Sequence, residues 1–465
     1  MAPFRRNCRS SGLSISFKVV TLAFAMCIVA VAQQSADVLE LREALTIALE
    51  RNPARKAALA DTRAAAANVT NVKSFLLPHL TFTESATLGN DPVYVFGSRL
   101  RQQRFTSGDF ALNKLNTPLP LSNFTTQFGG AWNLFDGFAN VHRVKQAKFM
   151  NEAAKQQLDR SDQELIFQVI NSYYEILLAA REVDVAQQSL KTAQSIVDSS
   201  LARLDSGLAV ESDLLTAKVR LATRQQDVIR STNNLKFARA QLNTAMGLPA
   251  DSSFTVTEAL AERSLPIPTL DEMEARALAN RPDLKRIASD EAAQRQAVAI
   301  AKSAFGPQIN AFAGWQLDNP TLYAGDGGNN WLGGVQLKLD IFDAGAKRSE
   351  LSRQRALADK AAAMKQGVSD AVRLGVRKAY YDTDSSRQQV EVARAAIAQA
   401  QESLRINQDR YAAGLTTVTE ILAADESARR SQTDYWEAVY RYYVSYASLE
   451  LASGTLTAQS PVVLP

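Results

Sequence analysis

The side chains with the greatest capacity for chemistry are few. His79 and His142 are the only histidines, and Cys8 and Cys27 the only cysteines. Such residues can ligate zinc or form a thiol–imidazole couple, but neither histidine sits in an HExxH pattern or has a cysteine partner. A nucleophile elbow, a phosphate-binding glycine loop and a dinucleotide glycine pattern are also missing from the sequence. The 48 Asp and Glu residues are interspersed with Lys and Arg at helical spacing, the pattern of solvated helix faces rather than of an acid–base dyad. The expectation is therefore no enzyme, no cofactor and no metal site. Whatever the chain does must be done by where its elements stand.

Residues 1–32 read as a secretory signal peptide. Arg5, Arg6, Arg9 and Lys18 precede an apolar run from Val19 to Ala32, and Ala30-Val31-Ala32 supplies a small-x-small cleavage pattern. The run is too short for a bilayer-spanning helix, and Phe24-Ala25-Met26 before Cys27 suits an acylation signal poorly. Cleavage would remove both cysteines and four basic residues, turning a formal +4 into a balance of 48 basic against 48 acidic groups. That neutrality gives no reason to expect nucleic acid as a partner. At 465 residues and 46% hydrophobic, the chain can bury a large core, yet no second stretch of 18 apolar residues follows the signal. A secreted chain of this kind is periplasmic, extracellular or an outer-membrane β-barrel.

The sequence repeats itself. Pro53, Asp61, Lys73 and Pro78 recur 229 positions later as Pro282, Asp290, Lys302 and Pro307. Phe135-Asp136, Tyr173-Tyr174, Gly207-Leu208 and Gly247 recur 207 positions later, so the first copy holds 22 additional residues between Pro78 and Phe135. In each copy a first-turn proline opens a helix of about 25 residues, closed by Pro78 or Pro307. From Ala139 to Ser206 no Gly or Pro occurs, which predicts a helix about 100 Å long. Its counterpart runs from Ala346 to Ala413. Small residues (Leu165 aside, Ser172, Ala179, Ala186, Ala193, Ser200) and branched ones (Val169, Ile176, Val183, Leu190, Val197, Leu204) alternate as a six-heptad seam. Reversal is expected at Gly207 and Gly414, with return helices to Gly247 and Gly454. Each return helix and the earlier short one should stack end to end beside the long helix.

Four stretches alternate with period two: Leu80 to Leu88, Phe124 to Leu134, Gln308 to Leu317 and Trp331 to Ile341. One face is apolar and the other polar, and three of the four Trp fall in or beside these strands, as in an interfacial aromatic girdle. Four strands cannot close a pore, and open edges do not survive in lipid, so several copies must share one barrel. Three copies would give 12 strands; two or four are not excluded by the arithmetic. The hairpin connections, Asn319 to Asn330 and the longer Gly89 to Ser122, should lie outside the cell.

These features together are similar to the TolC-type outer-membrane efflux protein family, over about residues 41–454. The resemblance rests on the duplication, Leu77-Pro78 before a strand, Leu134-Phe135-Asp136-Gly137 and Ile341-Phe342-Asp343-Ala344-Gly345 after one, and Met246-Gly247-Leu248-Pro249. It also rests on the tips Arg203-Leu-Asp-Ser-Gly207-Leu and Arg410-Tyr-Ala-Ala-Gly414-Leu. It implies a mainly α fold with a membrane β-barrel: duplicated helical hairpins form an α-barrel continued by a homotrimeric 12-stranded β-barrel. It implies the exit duct of a tripartite efflux or type I secretion system, with a periplasmic adaptor, an inner-membrane transporter and outer-membrane lipid as partners.

Carried over by motif, Gly207, Leu208, Ala209, Gly414, Leu415 and Thr416 would meet the adaptor. The periplasmic gate would pair Asp213 with Tyr411, supported by Ser212. Thr416 stands where the prototype has a bridging Arg; of two acidic ring positions one is Glu420 and the other Ala423. The resemblance thus implies a gate held more weakly and less selective for cations. Asp213 and Glu420 can also be read as solvated helix-start carboxylates stabilised by the dipole, a reading that for Glu420 stands level with the functional one. The expected division is signal 1–32, first repeat 33–247, linker 248–268, second repeat 269–454 and tail 455–465. The competing class is a soluble periplasmic coiled-coil adaptor, which would have one long hairpin and no membrane strands.

Overall fold

The computed structural model describes residues 39–256, 258–322 and 327–463, so the signal-peptide segment lies outside the described residues. The first repeat opens with α1 (Leu41–Arg51) and α2 (Pro53–Ser74). Between them Asn52 caps α2, its side-chain Oδ1 accepting from the backbone amides of Ala54 and Arg55. Then come β1 (His79–Gly89), α3 (Pro92–Arg101), a 3-10 turn at Ser107–Phe110, α4 (Leu112–Asn116), β2 (Leu121–Phe135), α5 (Ala139–Asp205) and α6 (Glu211–Met246). The second repeat has α7 (Leu270–Asn280), α8 (Pro282–Ser303), β3 (Gln308–Asn319), β4 (Gly328–Lys338), α9 (Ala346–Ala412) and α10 (Val418–Ala452).

Both prolines open helices as expected, though each helix has 22 residues and is preceded by a short helix that the sequence reading omits. The 67-residue α5 and α9 are about 100 Å long. End-to-end stacking is realised at two glycines. Gly247 follows α6 with φ +73° and lies so close to the α1–α2 junction that a Cβ would stand 2.8 Å from the Arg51 carbonyl oxygen. Gly454 meets Arg281 at the α7–α8 junction in the same way, φ +70° and 2.9 Å. Only glycine permits both the backbone angle and the approach.

The helices form four staves: α2 with α6, then α5, then α8 with α10, then α9, each packed on the next. The strands form one antiparallel sheet in the order β1-β2-β3-β4, leaving one side of β1 and one side of β4 unpaired. The sheet stands at the opposite end of the long helices from their reversals.

The main core lies about midway along α5, where α1, the end of α6 and α10 meet it. Val169, Ile170 and Tyr173 of α5 pack there with Leu45, Leu242 and Met246. The linker and tail belong to it too: Leu260, Leu265, Leu456 and Val462 are buried. Tyrosine hydroxyls fasten these segments, Tyr174 to the carbonyl of Val462 at 2.9 Å, Tyr443 to Ala261 at 2.8 Å and Tyr446 to Pro266 at 3.1 Å. Each ring thus buries its apolar body and still satisfies its O–H.

Candidate functional site: helix tips and sheet edges

At the first tip, Gly207 takes φ +71° and the Leu208 amide donates back to the Arg203 carbonyl at 2.8 Å. At the second, Gly414 takes φ +75° and Leu415 donates to Arg410 at 2.8 Å. Both are helix-terminating turns that need a left-handed residue. Leu208 and Leu415 are each 69% exposed, so two apolar side chains project from the end of the molecule. Ala209 and Thr416 are half-buried beside them.

The structure pairs Tyr411 with different residues from those carried over by motif. Tyr411 is buried on α9; its hydroxyl lies 2.8 Å from the Ser200 hydroxyl of α5. Its carbonyl accepts from Arg203, whose guanidinium also stands 4.9 Å over the Tyr411 ring. Among the described residues the half-buried Asp213 carboxylate makes no hydrogen bond, and Ser212 is exposed. Glu420 belongs to its own tip. The Thr416 hydroxyl donates to its carboxylate, and its amide donates to the capping Thr417 hydroxyl.

Sequence reasoning missed Ser200 and Arg203 in this role. Ser200 figured only as a small seam residue, and Arg203 only as part of a tip motif. It also assigned the helix charges to solvent, whereas Arg224 of α6 is almost fully buried and bridges the repeats. Its guanidinium meets Asp425 at 2.9 Å and Glu426 at 2.7 Å on α10, and Asp227 at 3.2 Å. Arg429 holds the Glu426 carboxyl down at about 2 against the opposing pull of burial, with Arg224 assisting. Burial pushes Asp425 up, and the Arg224 contact only partly offsets it. The cluster lies about two turns into α10 and nearly four turns into α6, and it clasps the two helices together.

At the other end, the strands are 11 to 15 residues long, enough to span a membrane when tilted. Register puts Phe82, Phe128, Trp315 and Trp331 in one row on the apolar face. Trp331 is 82% exposed and Leu80 85%. The opposite face carries Thr81, Thr83, Gln127, Gln316, Asn310 and Asn133, the last two hydrogen-bonded at 3.1 Å. The fourth strand ends at Lys338, short of the expected Ile341.

A sheet apolar on one face, polar on the other and carried on staves about 100 Å long defines an outer-membrane channel protein. The chain matches the family model Outer membrane efflux protein over residues 44–248 and 275–455, and it belongs to that family. It is similar to Nodulation protein T of Rhizobium leguminosarum bv. trifolii, 24% identical over 84% of this chain and 80% of that protein. It is also similar to the alkaline protease secretion protein AprF of Pseudomonas aeruginosa, 21% identical over 91% of this chain and 86% of the relative. Among solved structures, the outer membrane protein VceC of Vibrio cholerae superposes with a TM-score of 0.74 at 19% identity, covering 89% of this chain and 96% of that one. The protein is thus an outer-membrane channel of the efflux and secretion kind, and the soluble adaptor alternative has no support.

Proposed function

We propose that three copies close edge to edge, β1 of one on β4 of the next, into a 12-stranded barrel continued by a helical tunnel. The observation that carries this is a coincidence of edges. The unpaired strands β1 and β4 fall on the same two sides of the molecule as the outermost staves, α2 with α6 and α9. One seam therefore completes sheet and staves together, and the apolar face of the sheet is left to lipid.

The assembled duct is a passive conduit. A periplasmic adaptor seats on Gly207, Leu208, Ala209, Gly414, Leu415 and Thr416, where the two exposed leucines offer an apolar footing, and links the duct to an inner-membrane transporter that supplies the energy. Within a copy, Ser200 and Arg203 fasten the two tips to each other through Tyr411. The Asp213 carboxylate, free within the copy, serves the contact between copies, with Ser212 beside it and Glu420 on the neighbouring helix start. A few such hydrogen bonds, about 1 kcal/mol each, hold the periplasmic end narrow yet yield to adaptor binding.

Purified protein in a planar lipid bilayer tests this reading. Small, flickering conductance that rises in Asp213→Ala is expected. Wide-open channels unchanged by the substitution would remove Asp213 from the gate, and folded protein that never conducts would overturn the duct.

A further inference from the structure

The 22 residues that distinguish the first repeat from the second do not form a loose loop. The connection between β1 and β2 folds into α3, the 3-10 turn and α4, and it turns back onto the sheet. Its anchor is Gln102, 1% exposed, whose side-chain amide donates to the Ser122 carbonyl and to the Asn123 side chain, both at 2.9 Å. Asn123 in turn donates to Asp318 at 2.7 Å. Across the sheet, the Asn330 side chain reaches the Arg101 carbonyl at 3.1 Å. The approach is close enough that a Cβ at Gly328 would overlap that carbonyl oxygen, 1.5 Å away.

The side of the sheet on which this happens decides its meaning. Thr125 and Asp318 are register partners, as are Gln316 and Asn330. These side chains share the polar face with Gln127 and Thr81, opposite the row of Phe128, Trp315 and Trp331. The insertion therefore covers the outer end of the polar face, not the lipid face. Arg101, exposed at the C-terminal end of α3, lines one concavity with Gln127, Gln316 and Thr81 of that face. Among the described residues it has no carboxylate within ion-pair distance. Asp318, the acidic group on the strands beneath it, is fully buried and accepts hydrogen bonds from Asn123, Thr125, Gln316 and Asn330. Glu84 is on the other face, bonded to Thr126 at 2.6 Å.

We propose that the insertion is an inward collar at the outer mouth of the duct, and that Arg101 is its reading residue: one from each copy makes a cationic ring that binds anionic groups of departing cargo. The proposal rests on the duct reading, in which the polar face is the lumen. A guanidinium offers paired N–H donors to carboxylate, sulfate or phosphate, and a ring of three in a narrow, partly dehydrated mouth acts as one polyvalent site.

The test is side-specific block of single channels by tripolyphosphate. Tripolyphosphate added at the barrel side should block wild type. Arg101→Ala should need about ten times more for half-block, and Arg101→Lys, which keeps the charge but loses the paired donors, should fall between the two. Equal block in wild type and Arg101→Ala, block from the helix-tip side alone, or no block of conducting wild-type channels would each overturn the ring and leave the duct standing. Folded protein without any conductance would instead overturn the duct reading on which the ring rests.

Discussion

Helices α5 and α9 are copies of each other, both of 67 residues, and they differ in how much of themselves they bury. The shared part is the seam: Leu165, Val169 and Val183 of α5 correspond to Val372, Val376 and Val390 of α9, and Val169 and Val376 are fully buried. The difference is a second stripe. Ile166, Ile170, Tyr174 and Leu177 of α5 are buried, whereas their counterparts Arg373, Arg377, Tyr381 and Asp384 are exposed or charged. Helix α5 has a stave on either side, while α9 is packed on one side only. Duplication supplied two equal helices, and position in the fold let one keep a full core while the other became an edge. The bare side of α9 still carries Leu374 at 70% and Val392 at 72% exposure, more apolar surface than a helix facing only water needs.

Several substitutions test how far the two helices differ. The largest effect should come where the two repeats are clasped. Arg224→Ala leaves Asp425 buried without its cation and should lower stability by about 3–5 kcal/mol in denaturant titration. The double change Arg224→Met with Asp425→Leu should recover most of that loss. Next, Ile170→Ala in α5 should cost about 2–4 kcal/mol, whereas Arg377→Ala at the matching place in α9, where the guanidinium paired with Glu274 is more than half exposed, should cost less than about 1 kcal/mol. Equal losses would mean that α9 carries a second core stripe after all.

A third contrast is set by pH. Asn243 near the end of α6 corresponds to Glu450 near the end of α10; both are buried, but burial pushes the Glu450 carboxyl up to about 7. The folded chain thus holds a proton that the unfolded chain has given up between about pH 4.5 and 7. Stability must fall as pH rises through that window, by about 2–4 kcal/mol, and stay low above it. Glu450→Gln should flatten this dependence and raise the melting temperature at pH 8. A melting curve equally pH-dependent in the variant would place the titrating group elsewhere.

The smallest expected effect separates seam from solvent by labelling. Cys8 and Cys27 are the only cysteines, so with both replaced by Ser single cysteines report cleanly. Val392→Cys should react slowly with a soluble maleimide in the assembled protein, and Leu208→Cys at the open tip quickly, although both parent side chains are about equally exposed in a lone copy. Equal rates would remove α9 from the seam.

Much of this was legible in the sequence because it is written in backbone grammar. Gly and Pro at fixed offsets marked where helices start, reverse and abut, and period-two alternation gave the strands to within a few residues. The short helices α1 and α7 escaped because 11 residues carry too few periodic positions, although Thr269 and Glu272 form a capping box before α7. The Arg224 cluster escaped for a different reason. Its partners are about 200 residues apart, and burial, not spacing, turns ordinary helix charges into a buried network. The same holds at the tip, where the Ser200–Tyr411 contact depends on how two copies of one hairpin lie against each other.

In the proposed duct the bare edges of one copy are filled by the next. Native mass spectrometry of the detergent-extracted protein measures this most directly. A closed complex of three chains is predicted, dissociating only with loss of fold. A folded, stable single chain in detergent would contradict the account.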